Sequence, residues 1–293
     1  MALLVALSFF WGTNWPFMKI ALMEIPVWWF RTFCLFGGGL SLLSISYISG
    51  HRVRLKGWEV APLLLCMSFG MLGWHLLSAY GVSEMPAGRA SIIAFTMPVW
   101  AAFLARMLLG EPLTNLKLIS LAFGLSGLAV LIGPDLIDLK KAPLGALLML
   151  GAALAWGTGT VLFKKFTWSA STTALAGWQL TFAGIPIAIG AFFFQMPPDW
   201  TTISAKVYFS LAYVMALPMI FCQWAYLRSV RTFPASLAAI STLGVPIIGT
   251  YSSALILEEA VGIQEFSALV LVCLALVTIL VIPTLRSGAG PKT

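Results

Sequence analysis

Charge is what this sequence has least of. Of its 293 residues only 9% are Asp, Glu, Lys or Arg, 17 basic and 10 acidic, while 60% are hydrophobic. A soluble chain of this length needs a charged surface, and so few charges cannot cover one, so the composition excludes a soluble globular domain. Histidine occurs twice and cysteine four times. Cys34, Cys66, Cys222 and Cys273 all fall inside apolar runs without metal-ligand spacing, which argues against both a disulfide framework and a metal centre. The acids at Asp135, Asp138 and Asp199 sit between the apolar runs, and neither H-E-x-x-H nor G-x-S-x-G occurs. "GTGT" at Gly157 lacks the third glycine and the flanking strand of a nucleotide fingerprint. No catalytic residues, cofactor or metal are therefore expected, and the chain does not read as an enzyme.

What is abundant is apolar sequence in membrane-length runs. Reading for about 20 consecutive apolar residues yields ten spans, at 2–22, 26–49, 58–81, 85–109, 113–133, 143–165, 170–194, 204–227, 233–257 and 262–284. The connections are too short to hide a soluble domain. Lipid-exposed backbone must satisfy its own hydrogen bonds, and the alternating pattern of a membrane barrel is absent, so the spans are expected as helices. The first span has no basic leader and carries polar residues at its centre, so it is expected to be retained as a helix and not cleaved as a signal.

The net charge of +7 is distributed in a way that points to topology, not to nucleic acid. With the N-terminus in the cytoplasm, the inner side receives Arg52, Arg54, Lys56, Arg106, Lys117, Lys164, Lys165, Arg228, Arg231, Arg286 and Lys292. The outer side keeps Lys19, Arg31, Arg89, Lys140, Lys141 and Lys206. This positive-inside bias predicts cytoplasmic termini. The expected partners are the lipid bilayer and a small-molecule substrate, with no nucleic acid, for a monomer or weak homodimer.

The chain also repeats itself. "WGTNWPFMK" at Trp11 returns as "WGTGTVLFKK" at Trp156, setting Lys19 against Lys164. With small indels, Ala79-Tyr80 matches Ala225-Tyr226, Pro86-Ala87 matches Pro234-Ala235, Pro98 matches Pro246 and Glu111 matches Glu259. The chain thus divides into two five-helix repeats, 1–135 and 142–293. Because five is odd, the second must enter the membrane from the opposite side, an inverted-topology repeat suited to alternating access.

These residues resemble the EamA-type branch of the drug/metabolite transporter superfamily. The resemblance rests on "WGTNWPFMK" and on "AYGVSEMPAGRASIIAFTMPVWAAFLARMLLGEPLT" from Ala79 to Thr114, with weaker copies in "WGTGTVLFKK" and "PASLAAISTLGVPIIG". Within that superfamily it resembles YddG-like amino-acid exporters. The resemblance implies ten helices, cytoplasmic termini, a bacterial inner-membrane location and export of hydrophobic or aromatic amino acids. One departure stands out: many relatives have Glu before the proline of the fourth helix, where this chain has Met97 before Pro98 and Val245 before Pro246.

Polar groups at mid-depth of an apolar span point inward. Thr13 and Asn14 lie near the centre of the first span, with Thr158 in the second copy; Asn14 can bond a substrate or glue helices together. Trp28, Trp29 and Trp58 sit at span ends as interface anchors. Trp11, Trp100 and Trp156 sit near mid-span, where they either fill volume or line a cavity for an apolar or aromatic side chain. Ser68, His75 and Ser78, spaced 7 and 3 apart, are expected on one helical face. The span-eight counterpart is aromatic: Phe221, with Gln223 and Trp224. Pro98 and Pro246, preceded by Ser91 and by Ser241 and Thr242, are expected to kink and to serve as moving walls. Lys19, Arg31 and Arg89 are expected to snorkel to the interface, Arg89 alternatively pairing with Glu84. Glu111 and Glu259 are expected to cap or brace loops. The rival reading is a multidrug or organic-cation exporter. It would want a buried carboxylate at mid-depth, which the sequence does not supply, although aromatic rings can also hold a cation.

Overall fold

A computed structural model describes residues 2–137, 144–226 and 235–283, with side chains described at 2–132, 144–226 and 244–283. Asp135, Asp138, Ser241 and Thr242 therefore lie outside the described side chains. Among the described residues the chain is all-helical. Its helices are α1 (Ala2–Ala21), α2 (Val27–Ile48), α3 (Gly57–Glu84), α4 (Ala87–Leu109), α5 (Asn115–Ile137), α6 (Leu144–Lys165), α7 (Thr172–Phe194), α8 (Ala205–Tyr226), α9 (Ala235–Leu257) and α10 (Ile263–Val281).

Each expected span falls on one of these helices. Eight have the length and apolar character to cross a membrane, with mean hydropathy from 1.2 to 2.3, and Gly244–Leu257 of α9 adds a shorter apolar helix. α1 is 20 residues long but has Thr13, Asn14 and Pro16 at its centre, which dilute its apolar character. The outer surface is what lipid requires: Phe192, Phe193 and Phe194 on α7 and Leu255 on α9 are among the most exposed large side chains.

Local chemistry sets the helix ends. Pro26 precedes α2, where its missing N–H costs nothing, and Gly50, at φ 71°, comes after it in the left-handed region. α3 opens with Glu59 accepting the Lys56 N–H at 2.7 Å, and Ser171 caps α7 by accepting from the Ala174 N–H at 3.2 Å.

The main helix pairings have a regular form. α1 packs on α9 and α8, α6 on α4 and α3, α2 on α7, α5 on α10, and α4 on α9. Exchanging every helix with the one five places away in the chain reproduces this set. Small residues allow the closest approaches, as expected where lipid offers no hydrophobic drive to associate. A Cβ on Gly159 of α6 would lie 2.4 Å from Gly70 Cα on α3, so only glycine fits that crossing.

Among the described residues three helices depart from regular α geometry: α10 is π-helical over Val277–Val281, and α3 and α8 are so at repeat-related places. α3 is π-helical over Ser68–Gly73 and α8 over Met215–Cys222. The wider turn rotates the N-terminal part of each helix relative to its C-terminal part. Ser68 is consequently exposed, bonded back to Leu64 O at 2.8 Å, whereas His75 and Ser78 are buried. The expected single face of Ser68, His75 and Ser78 is thus reduced to the last two.

The prolines also differ. α4 is interrupted at Phe95 and Thr96 and restarts at Met97, placing Pro98 in the first turn of the new segment. α9 runs unbroken through Pro246, where Thr250 Oγ1 donates to the Pro246 carbonyl at 2.9 Å.

Candidate functional site

The site builds outward from α1. Trp11, Asn14 and Met18 are spaced i, i+3, i+7, which puts them on one face. Trp11 packs against Tyr226 of α8 with ring centroids 5.5 Å apart. Asn14 is half-buried, and its Oδ1 is buried with no hydrogen-bond partner. Thr13 points elsewhere: its hydroxyl bonds Phe9 O at 2.7 Å and closely approaches the Tyr213 hydroxyl on α8. Thr13 is therefore helix glue between α1 and α8. Around that contact lie Phe10, Phe17 and Phe221, each within ring-contact distance of a neighbour.

Arg31 departs furthest from its expected setting. Instead of snorkelling outward, it is 3% exposed and turned into the bundle. Its Nε donates to the His75 carbonyl at 2.7 Å, and Nη2 reaches Ser78 Oγ at 3.0 Å and Met18 Sδ at 2.9 Å. His75 lies nine residues from the Glu84 end of α3, about 13 Å along the helix axis, so the guanidinium points toward mid-depth. Nothing in an apolar span announces this direction; it depends on which neighbours offer acceptors. The available signal is an arginine inside an apolar run.

His75 itself is 4% exposed, and neither ring nitrogen has a hydrogen-bond partner. A buried structural histidine is ordinarily held by at least one such bond, so this ring stands apart. Beside it, Trp74 makes an edge-on contact with Trp156 of α6, centroids 5.1 Å apart. Trp100 donates from Nε1 to Thr96 Oγ1 at 3.0 Å, bridging the break in α4. Trp224 lies near Phe221 at 6.2 Å, and Gln223 beside it is half-buried. Thr158 Oγ1 donates to Leu154 O at 2.8 Å on its own helix. Ser91, fully buried, donates to Gly88 O at 2.7 Å and packs where α4 meets Gly249 of α9.

The remaining charges close the two ends of the bundle. At one end Lys19 donates to three carbonyls at the end of α3, Val82 at 2.7 Å, Ser83 at 2.9 Å and Met85 at 3.1 Å. It caps α3 instead of snorkelling to the interface as expected. Arg89 pairs with Glu265 at 2.7 Å, not with Glu84. Glu259 accepts the Ala87 and Gly88 N–H groups at 2.7 and 2.9 Å, capping α4. At the other end Glu111 pairs with Lys164 and, at 3.2 Å, with Lys117. The expectation that Glu111 and Glu259 brace loops thus agrees with their contacts. Among the described residues no group of His, Cys, Asp and Glu is placed to hold a metal.

Comparison with known proteins gives one consistent family. The sequence model of the EamA-like transporter family matches residues 1–133 and again 143–281. An uncharacterized transporter of Bacillus subtilis, YoaV, is 24% identical over 275 residues, spanning 92% of both chains. A probable amino-acid metabolite efflux pump of Escherichia coli is 25% identical over 283 residues, 93% of this chain and 91% of that one. One solved crystal structure superposes with a TM-score of 0.67 at 17% sequence identity, covering 99% of this chain and 100% of that one.

Proposed function

Because the chain belongs to the EamA-like transporter family, an all-helical membrane fold of two repeats, we propose that it exports hydrophobic and aromatic amino acids across a bacterial inner membrane by alternating access. The observation that carries this reading is the site's composition. Asn14 Oδ1, a buried polar atom without a partner, lies one turn of α1 from Trp11 and its contact with Tyr226, and α3 supplies two more such atoms in His75 Nδ1 and Nε2. Apolar walls with a few convergent polar groups are how small-molecule sites are built. The probable efflux pump from Escherichia coli is a relative whose own name points to amino-acid metabolites.

Alternating access draws support from the packing. The main helix pairings survive exchange of each helix with its counterpart five places on, the arrangement needed if two inverted halves, 1–135 and 142–293, are to trade conformations. In this reading ten helices cross the membrane, both termini are cytoplasmic, and the end capped by Lys19 and Glu259 faces outward. The break in α4 at Thr96 and the proline in α9 are the places where a wall can bend.

The test is a substrate panel in proteoliposomes holding only this protein. Tryptophan and phenylalanine should be carried, and each should inhibit the other's uptake more strongly than a quaternary ammonium compound does. Trp100→Ala with Trp156→Ala should lose bulky substrates while still inserting, and a reporter at the C-terminus should read as cytoplasmic. Transport of the quaternary ammonium in preference to both amino acids would replace this reading with the multidrug one.

A further inference from the structure

Arg31 presents a chemical imbalance. A guanidinium has five N–H donors and carries its charge at any physiological pH. Here it is 3% exposed, and its bonds go to one carbonyl, one hydroxyl and one thioether. A thioether is a weak acceptor, and no carboxylate among the described residues pairs with Arg31. Burying a cation without an anion is costly, and such charges in membrane segments are found with partners or on substrate paths.

Its surroundings supply complementary atoms. His75, whose carbonyl Arg31 holds, has an imidazole with both nitrogens unpartnered. A neutral imidazole offers one N–H donor and one acceptor. Met18, which Arg31 also touches, shares its face of α1 with Asn14, four residues or about 6 Å along the axis, and Asn14 Oδ1 is an unpartnered acceptor. One turn further lies the aromatic surface of Trp11 and Tyr226. Positive charge, free donor, free acceptor and aromatic wall thus succeed one another along α1, α2 and α3.

We infer that Arg31, His75 and Asn14 form a subsite for the zwitterionic head of an α-amino acid. Arg31 and the His75 N–H receive the carboxylate, Asn14 Oδ1 accepts from the ammonium, and the side chain extends toward Trp11. Nε and Nη2 are engaged by His75, Ser78 and Met18, so the carboxylate is met by the two N–H donors of Nη1; a lysine cannot hold those partners and present further donors in the same plane. The inference rests on the amino-acid reading and sharpens it, because a buried cation repels cationic drugs. The substrate class is therefore one that must carry a carboxylate, with the ammonium as a secondary requirement.

The experiment measures ligand-induced thermal stabilisation of the purified protein, independent of transport, alongside uptake in proteoliposomes. The probes are phenylalanine, phenylpropionate, which lacks the ammonium, and phenethylamine, which lacks the carboxylate. Phenylalanine should stabilise at the lowest concentration, phenylpropionate at a higher one, and phenethylamine not at all. Arg31→Lys and Arg31→Gln should weaken both carboxylate ligands at least tenfold. Asn14→Leu, which leaves the buried charge in place, should keep phenylpropionate binding and lose the advantage of phenylalanine over it. Stabilisation by phenethylamine equal to that by phenylalanine, stabilisation by none of the three, or an Asn14→Leu variant with unchanged discrimination would overturn the subsite. Phenylalanine uptake that persists under any of those results would leave the transport reading standing without it, whereas carboxylate-dependent binding without uptake would uphold the subsite and remove the transport reading.

Discussion

The two W-G-T copies, on α1 and α6, share one sequence pattern and are put to different uses. On α1, Asn14 presents an unpartnered oxygen; at the matching place on α6, Gly159 lies against the backbone of Gly70. Thr13 bonds across to Tyr213, while Thr158 bonds back into its own helix. Trp11 meets a tyrosine and Trp156 a tryptophan. The contrast continues to the helix ends. Lys19 and Glu259 each bind backbone at the termini of α3 and α4, whereas their repeat counterparts Lys164 and Glu111 bind each other. A shared frame therefore carries two different chemistries: α1 presents an unpartnered polar atom, and α6 supplies a tight crossing with α3.

The tight crossing should be the more fragile of the two. Gly159→Ala puts a methyl against Gly70 Cα and N and Cys66 O, all backbone, at 2.4, 2.5 and 3.1 Å. Backbone cannot rotate away as a side chain can. Overpacking of this kind costs typically about 1–3 kcal/mol, and the upper end is expected, read as a lowered melting temperature in detergent. Gly151→Ala, whose nearest neighbour is Leu77 Cδ1 at 3.3 Å, is the control and should change little. Equal effects from the two would mean the approach of α3 to α6 does not depend on Gly159.

The second break concerns the ends. Glu259→Ala removes the acceptor for two N–H groups on buried residues, Ala87 and Gly88. Leaving buried donors unpaired costs about 1–3 kcal/mol. Glu111→Ala removes a partner from Lys164, which is 68% exposed, and exposed ion pairs contribute about 0–1 kcal/mol. Melting should therefore fall further for Glu259→Ala. The reverse order would show that the ion pair, not the helix cap, is the stronger tie.

The helices are legible in the sequence because lipid imposes a simple rule of length and hydropathy, and the repeat is legible because Trp-Gly-Thr, Pro and Glu recur at matched intervals. The roles of Glu111 and Glu259 are readable for the same reason. What escapes is direction. Arg31 and Lys19 stand near span ends, where the general tendency is to reach outward, yet Arg31 finds acceptors inside at His75 and Ser78, and Lys19 finds three carbonyls at the end of α3. Ser68 leaves the His75 face because a π-helical turn intervenes, and periodicity counted at 3.6 residues per turn does not register it. Trp74 and Tyr213 go unnoticed because an aromatic in an apolar run carries no mark of its partner.

The smallest effect tests the Glu111 side of the comparison through pH. Hydrogen bonds from Lys164 first, and then from Lys117, hold the Glu111 carboxyl below its ordinary value. A carboxyl depressed in the folded protein contributes stability that is fully present above its unfolded value, about 4.3, and is lost as pH falls through the lower folded value. The contribution is small, well under about 1 kcal/mol, because the lysine side chain is solvated and its field is screened. The melting difference between the native protein and Glu111→Gln should therefore hold steady from pH 7 to about 5. It should shrink toward zero below about pH 4 as the native carboxyl takes up a proton. Added salt should diminish it at pH 7. A difference that widened on acidification would mean Glu111 is destabilised in its ionised form. The Lys164 end would then be held by something other than this ion pair, and the contrast with the Lys19 end would have to be redrawn.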